Sequence, residues 1–168
     1  MSGLLERGNE FHELDGQIER AVDGQGCAVV VEGPAGIGKS RLLAEARLRA
    51  EGSMRVLSAR GSELEGEFAF GVVRQLFEAE LAARRESLLA GAAAPAAAVF
   101  GELEGGASFA SLHGLYWLVL NLAEEGPLLL AVDDLHWCDR PSLLFLAYLA
   151  GRLERQPILL LAGLREAE

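Results

Sequence analysis

The sequence predicts an α/β fold: a parallel β-sheet with helices on both faces. Three observations predict it. Short, unalternating apolar runs alternate with longer segments of helical periodicity, as parallel strands and their crossover helices require. A glycine-rich segment follows the first run and opens a helix. The third run ends in two adjacent aspartates.

The elements follow in order. Phe11, Leu14, Ile18, Ala21 and Val22 recur at helical spacing and predict an amphipathic leading helix within residues 1–26. Asp23-Gly24-Gln25-Gly26 breaks it. Cys27–Val31 is short, β-branched and apolar throughout, which predicts a strand buried on both faces. After the loop 32–38, a helix is expected over 39–50, with Leu42, Leu43 and Ala46 facing inward, and Gly52 ends it. Residues 55–59 form a second strand. Val73, Leu76, Phe77 and Leu81 mark a further helix. The Ala/Gly-rich stretch near 84–107, broken by Pro95, is expected to be a surface excursion without chemistry.

Ser108 can cap the next helix, which runs to about residue 124 and buries Leu112, Leu115, Tyr116, Val119 and Leu122. His113, among these apolar residues, is expected to be a satisfied core histidine; His12 is expected on an exposed face. Gly126-Pro127 stops that helix, and Leu128–Val132 forms a third strand. Asp139 caps a helix with Pro141 in its first turn, expected to reach residue 154 and to be lined by Leu143, Leu146, Ala147 and Ala150. A fourth strand covers 158–162.

Composition narrows the function. The 168 residues fit one domain and carry a net charge of −10, so a sequence-independent grip on nucleic acid is not expected. No apolar run is long enough to cross a membrane, and Met1-Ser2-Gly3 does not open a signal peptide. Cys27 and Cys138 lack metal-ligand spacing and are expected to be free thiols in a cytoplasmic protein. Of the 15 basic residues, Lys39 is the single lysine. It stands where a compact ammonium on a flexible stem suits better than a planar guanidinium.

Gly33-Pro34-Ala35-Gly36-Ile37-Gly38-Lys39-Ser40 matches G-x-x-x-x-G-K-[ST] in full. A triphosphate needs several donors aimed inward at once. Successive backbone N–H groups can supply them where side chains are absent, and the following helix brings its positive N-terminus. The motif predicts a P-loop nucleotide site for ATP with Mg²⁺: Lys39 on the β/γ-phosphates, Ser40 on the metal, Arg41 flanking. Asp133, at the tip of an apolar strand, can hold a metal-bound water, and Asp134 can orient or deprotonate the attacking water. Arg165, after the fourth strand, is a weaker candidate for the γ-phosphate. His136 can sense the nucleotide or simply pack beside Trp137.

Residues 32–43, Ala59–Glu65, Leu112–Trp117 and Ala131–Trp137 together resemble the ATPase domain of large LuxR-type transcriptional regulators, in the STAND branch of AAA-type ATPases. The resemblance spans nearly the whole chain. It implies a three-layer α/β/α P-loop NTPase with strand order 1-4-3-2, in which a fifth strand beside the first is missing. It implies Arg7, in the segment leading into the first helix, beside the adenine. It also implies a nucleotide switch that self-associates and hydrolyses ATP slowly. Where such proteins often have Thr-Arg after the fourth strand, this chain reads Ala162-Gly163-Leu164-Arg165. No lid or C-terminal helix-turn-helix follows within the 168 residues, so a fragment or a truncated gene product is expected. Two alternatives stay open: a small P-loop kinase acting on a metabolite, and a nucleotide-binding module without turnover. The kinase would need a mobile basic lid, and the longest insertion carries basic residues at Arg84 and Arg85 alone.

Overall fold

The computed structural model describes residues 8–64, 66–101 and 108–166. The chain alternates helix and strand as the apolar pattern predicts: α1 (Gly8–Val22), β1 (Cys27–Gly33), α2 (Lys39–Ala50), β2 (Arg55–Arg60), α3 (Gly71–Leu88), α4 (Phe109–Ala123), β3 (Leu128–Asp133), α5 (Arg140–Ala150) and β4 (Ile158–Arg165). The four strands are all parallel, in the order β1-β4-β3-β2.

Two apolar cores lie on opposite faces of the sheet. Side chains alternate across a strand, so Leu128, Leu130, Val132, Ile158 and Leu160 join α3, α4 and α5 on one face. Leu129, Ala131, Leu159 and Leu161 join α1 and α2 on the other. Burial on both faces explains why β3 and β4 read as continuous apolar runs.

The same rule corrects the first strand. β1 is not buried on both faces: its residues alternate, with Ala28, Val30 and Glu32 exposed and Val30 54% accessible. The α1–α2 layer packs against Cys27, Val29 and Val31, whereas Val30 and its neighbours on the other face stay uncovered. Gly26, just before β1, is required by close approach. A Cβ there would lie 2.4 Å from the Gln156 carbonyl oxygen and 2.6 Å from those of Leu153 and Ile158.

Three further expectations change. The alanine-rich stretch is not an excursion: α3 continues through it to Leu88, kinked at Arg84, and Gly91–Phe100 forms a 3-10 segment with Ala93, Ala96 and Val99 buried. Small side chains let it press on α4, and a Cβ at Gly114 would come within 2.6 Å of the Ala96 nitrogen. Helix α5 stops at Ala150 rather than residue 154, and Phe145, Leu146 and Leu149 form its inner face while Leu143 and Ala147 are exposed. Val22 also faces outward.

One buried carboxylate ties α3 to α5, two helices of the same layer, at the C-terminal edge of the sheet. Asp139, 3% exposed, caps α5 by accepting from the Ser142 N–H at 2.9 Å. It also accepts from the N–H groups of Phe70 at 2.8 Å and Val72 at 3.2 Å, at the start of α3. The Ser142 hydroxyl accepts from the Val73 N–H. Helix α3 thus borrows its N-terminal cap from another helix, which frees Phe70 to adopt a left-handed φ of 60°. Replacing Asp139 with Ala leaves three backbone donors without this acceptor. The variant should lose about 3 kcal/mol and melt about 10 °C lower. A parent-like midpoint by circular dichroism would show that other groups satisfy α3.

Candidate functional site

The parallel strands all end at the same edge of the sheet, and there the sequence-predicted residues converge. Gly33 ends β1, and the loop 34–38 turns the chain into α2. Gly36 and Gly38 adopt φ of 78° and 91°, a region that a Cβ disfavours. Helix α2 begins at Lys39 with no side-chain cap from its N-cap residue Gly38 and no acidic residue in its first turn. Lys39 is buried, and its Nζ donates to the Gly33 carbonyl at 2.6 Å and the Pro34 carbonyl at 2.8 Å. The ammonium is held across the mouth of the loop before any phosphate is considered.

A cleft of about 360 Å³ opens in front of this loop. It is lined by Ala35, Gly36, Gly38, Lys39, Ser40, Arg60, Asp134, His136, Trp137 and Arg165. Gly33, Pro34, Ile37 and Arg41 lie beside it, not in its lining, and Arg41 is exposed on α2. Arg7 lies outside the described residues.

The two aspartates do different things. Asp133 closes β3, and its Oδ1 accepts the Asp134 N–H at 2.9 Å. Its carboxylate sits against Gly163 of β4, where a Cβ would come within 2.9 Å of Oδ1. Glycine at position 163 therefore leaves room for the Asp133 carboxylate. Asp134 turns off the strand with a left-handed φ of 51°, which an Asp tolerates better than most residues. Its Oδ2 accepts from Arg60 Nε at 2.7 Å and Nη2 at 2.6 Å.

Arg60, at the end of β2, was not legible as a site residue. Its guanidinium pairs with Asp134, and its backbone is gripped by the Gln75 amide, which accepts from the Arg60 N–H at 3.0 Å and donates to the Arg60 carbonyl at 3.2 Å. Gly61 next to it is fixed by contact: a Cβ would lie 2.3 Å from the Asp134 carbonyl oxygen. The adjoining Gly61 is the sequence signal that marks the spot.

His136 sits in a short 3-10 turn, Leu135–Trp137, its ring 5.1 Å from that of Trp137. Its Nδ1 is buried without a hydrogen-bond partner among the described residues. Cys138 follows, and burial, aided by Asp139, pushes its thiol up to about 12. Burial thus disfavours its thiolate form at neutral pH. Cys27 is also a free thiol raised by burial, and donates to the Gln17 amide oxygen. Among the described residues no group of three or more His, Cys, Asp or Glu side chains is arranged to hold a metal ion. Mg²⁺ accompanying a triphosphate needs fewer: one or two protein oxygens, with phosphate and water supplying the rest. Ser40 lines the cleft, whereas Asp133, turned against Gly163, is not part of that lining.

A glycine-rich loop at the head of α2, an acidic tip on the third strand and the order β1-β4-β3-β2 define a fold of the P-loop ATPase class. Residues 3–161 match the AAA ATPase domain, and the chain belongs to that family. Its fold is similar to that of the ORC2 protein of Aeropyrum pernix, solved in ADPNP and ADP complexes, with a TM-score of 0.55 and 17% identity. The match covers 95% of this chain and 41% of that one. No curated protein matches. No helix among the described residues is long and apolar enough to cross a membrane.

The two glycines make opposite predictions. Gly61→Ala meets rigid backbone and should lose about 1–3 kcal/mol of stability. Gly163→Ala meets a side-chain oxygen that can turn aside, so its melting midpoint should fall less while the Asp133 carboxylate moves. Equal midpoints for the two variants in thermal melts would contradict this geometry.

Proposed function

We propose that this chain is a Mg·ATP-binding switch module of a transcriptional regulator, with slow hydrolysis of ATP to ADP and phosphate. The observation that carries the reading is a single cleft lined by the phosphate loop, Asp134 and Arg165. Membership of the AAA ATPase domain family supports nucleotide as the ligand. The regulator role rests on the resemblance of the segments 59–65, 112–117 and 131–137 to LuxR-type proteins.

In this reading backbone N–H groups from Gly33 to Ser40 bind the phosphates, and Lys39 exchanges its loop carbonyls for the β- and γ-phosphate oxygens. Ser40 and Asp133 would hold Mg²⁺, which would supply charge neutralisation at the phosphates. Asp134 orients water and accepts its proton. Arg60 competes with that water for the Asp134 carboxylate, which accounts for slow turnover. Arg165 reaches the γ-phosphate from the end of β4, and Arg7 lies near the adenine. Self-association through β1 belongs to the same proposal. That strand is an edge, carries neither charge nor proline from Cys27 to Val31, and leaves Val30 exposed.

Lys39→Ala should weaken ATP binding at least about tenfold, in line with 1.5–3 kcal/mol for a charged hydrogen bond. Asp133→Asn should reduce the Mg²⁺ dependence of binding, and Asp134→Asn should spare binding while slowing phosphate release. Calorimetry and a phosphate assay on the same samples decide. Parent-like behaviour in all three variants would remove the assignment. A parent that binds ATP and releases no phosphate would favour a binding module without turnover.

For the edge strand, amide exchange at Val29–Val31 should slow as concentration rises, together with increasing light scattering. Slow exchange in a dilute monomeric sample would show that the edge is already covered.

A further inference from the structure

The segment Leu112–Trp117, which the nucleotide site does not use, builds a connected aromatic array on the outer surface of α4 and α5. The indole Nε1 of Trp117 donates to His113 Nε2 at 3.0 Å. The other ring nitrogen, Nδ1, lies 3.0 Å from the Tyr148 hydroxyl of α5. Phe109, at the start of α4, stacks on the imidazole with centroids 5.7 Å apart and planes 9° from parallel. Tyr116 and Tyr148 flank it at 6.3 and 6.4 Å. His113 is thus not a core histidine but the hub of a partly exposed cluster, with Phe109 72% and Trp117 37% accessible.

Donor chemistry fixes the state of this hub. An indole N–H can only donate, so Nε2 must accept and carries no proton. A neutral imidazole bears its one proton on the other nitrogen, so Nδ1–H donates to the Tyr148 oxygen. A second proton has one place to go, Nε2, where it would face the Trp117 N–H with no lone pair between them. The Trp117 bond and a positive imidazole exclude each other.

We infer that His113 is a proton-gated latch between α4 and α5. Neutral, in its Nδ1–H form, it holds Trp117 and Tyr148 on one ring and keeps Phe109 stacked. Charged, it releases Trp117 and keeps only Tyr148, so the exposed ridge of Phe109 and Trp117 loses its fixed geometry.

Few other charges intervene among the described residues. Helix α4 has no ionisable side chain besides His113 and Tyr116, and the 3-10 segment packed on it has none. Helix α5 contributes Arg140 and Tyr148, and Arg152 follows it, with its guanidinium 3.6 Å from the Tyr148 ring centroid. Helix α3 carries Arg74, Glu78, Glu80, Arg84, Arg85 and Glu86; Arg74 is tied to the Gly101 carbonyl, while Glu80 and Arg84 pair with Arg55 and Glu125. No carboxylate among the described residues is bonded to the imidazole. Histidine is the side chain that ordinarily changes charge between about pH 5 and 8.

Nitrogen-15 NMR of the full chain tests the latch directly. At about pH 8 the His113 nitrogens should report the Nδ1–H tautomer, and the Trp117 indole N–H, assigned through Trp117→Phe, should report a hydrogen bond. As pH falls to about 5, the indole signal should move to its unbonded position with the midpoint of the imidazole titration. Tyr148→Phe, which removes one hydroxyl and leaves the ring, should keep the Nδ1–H tautomer, because the Trp117 N–H still needs Nε2 as its acceptor. An Nε2–H tautomer at the higher pH would overturn the inference. So would an indole signal that stays put while His113 titrates, or an imidazole that stays neutral throughout.

Discussion

The buried carboxylate of Asp139 is the contact on which the working edge of this fold depends. Two helices begin there, and each has N-terminal N–H groups that secondary structure alone leaves unbonded. Asp139 meets one from its own helix α5 and two from α3, across a sequence separation of about 70 residues. Because α5 follows β3 and α3 follows β2, the bond also fixes where those two strands end. Arg60 closes one strand and Asp133-Asp134 the other, and the register pairs Arg60 with Asp133. The ion pair of Arg60 with Asp134 is therefore a downstream result of how α3 and α5 are pinned.

Much of this was written in the chain at short range. The loop Gly33–Ser40, helix α2 over Lys39–Ala50, and the strands Leu128–Asp133 and Ile158–Arg165 all carry their signal within a dozen residues. The parallel four-stranded order was reached through resemblance, and the structure has that order. What escaped depends on neighbours far away in sequence. Arg60 reads as a strand end until Asp134 is beside it, and Gly163 reads as a weak spot in a strand until the Asp133 carboxylate needs its space. The alanine-rich segment was misread because low complexity suggests exposure, yet alanine is the residue that lets a 3-10 segment lie close on α4. Cys27–Val31 was misread for the opposite reason: apolar composition on both faces does not guarantee a partner for both.

The opposite end of the sheet is held differently. Arg55, at the start of β2, pairs with Glu80 of α3 and Glu125 after α4, and Arg84 pairs with both of those acids. These groups are partly exposed, so each pair contributes little alone. Their effect is to anchor α3 at the turn where Arg84 leaves helical geometry. The site end relies on buried, charge-assisted caps and the far end on a solvated network, which places the firmer constraint beside the cleft in front of the glycine-rich loop.

The solitary lysine has a chemical consequence beyond its place in the loop. Every other basic side chain is a guanidinium, so the chain offers one ε-amine, and that amine is buried against the Gly33 and Pro34 carbonyls. Amine-selective reagents, and any enzyme that acetylates lysine, therefore have a single side-chain amine to address on this molecule. Modification there would erase the positive charge at the mouth of the phosphate loop, and no second lysine would dilute the signal.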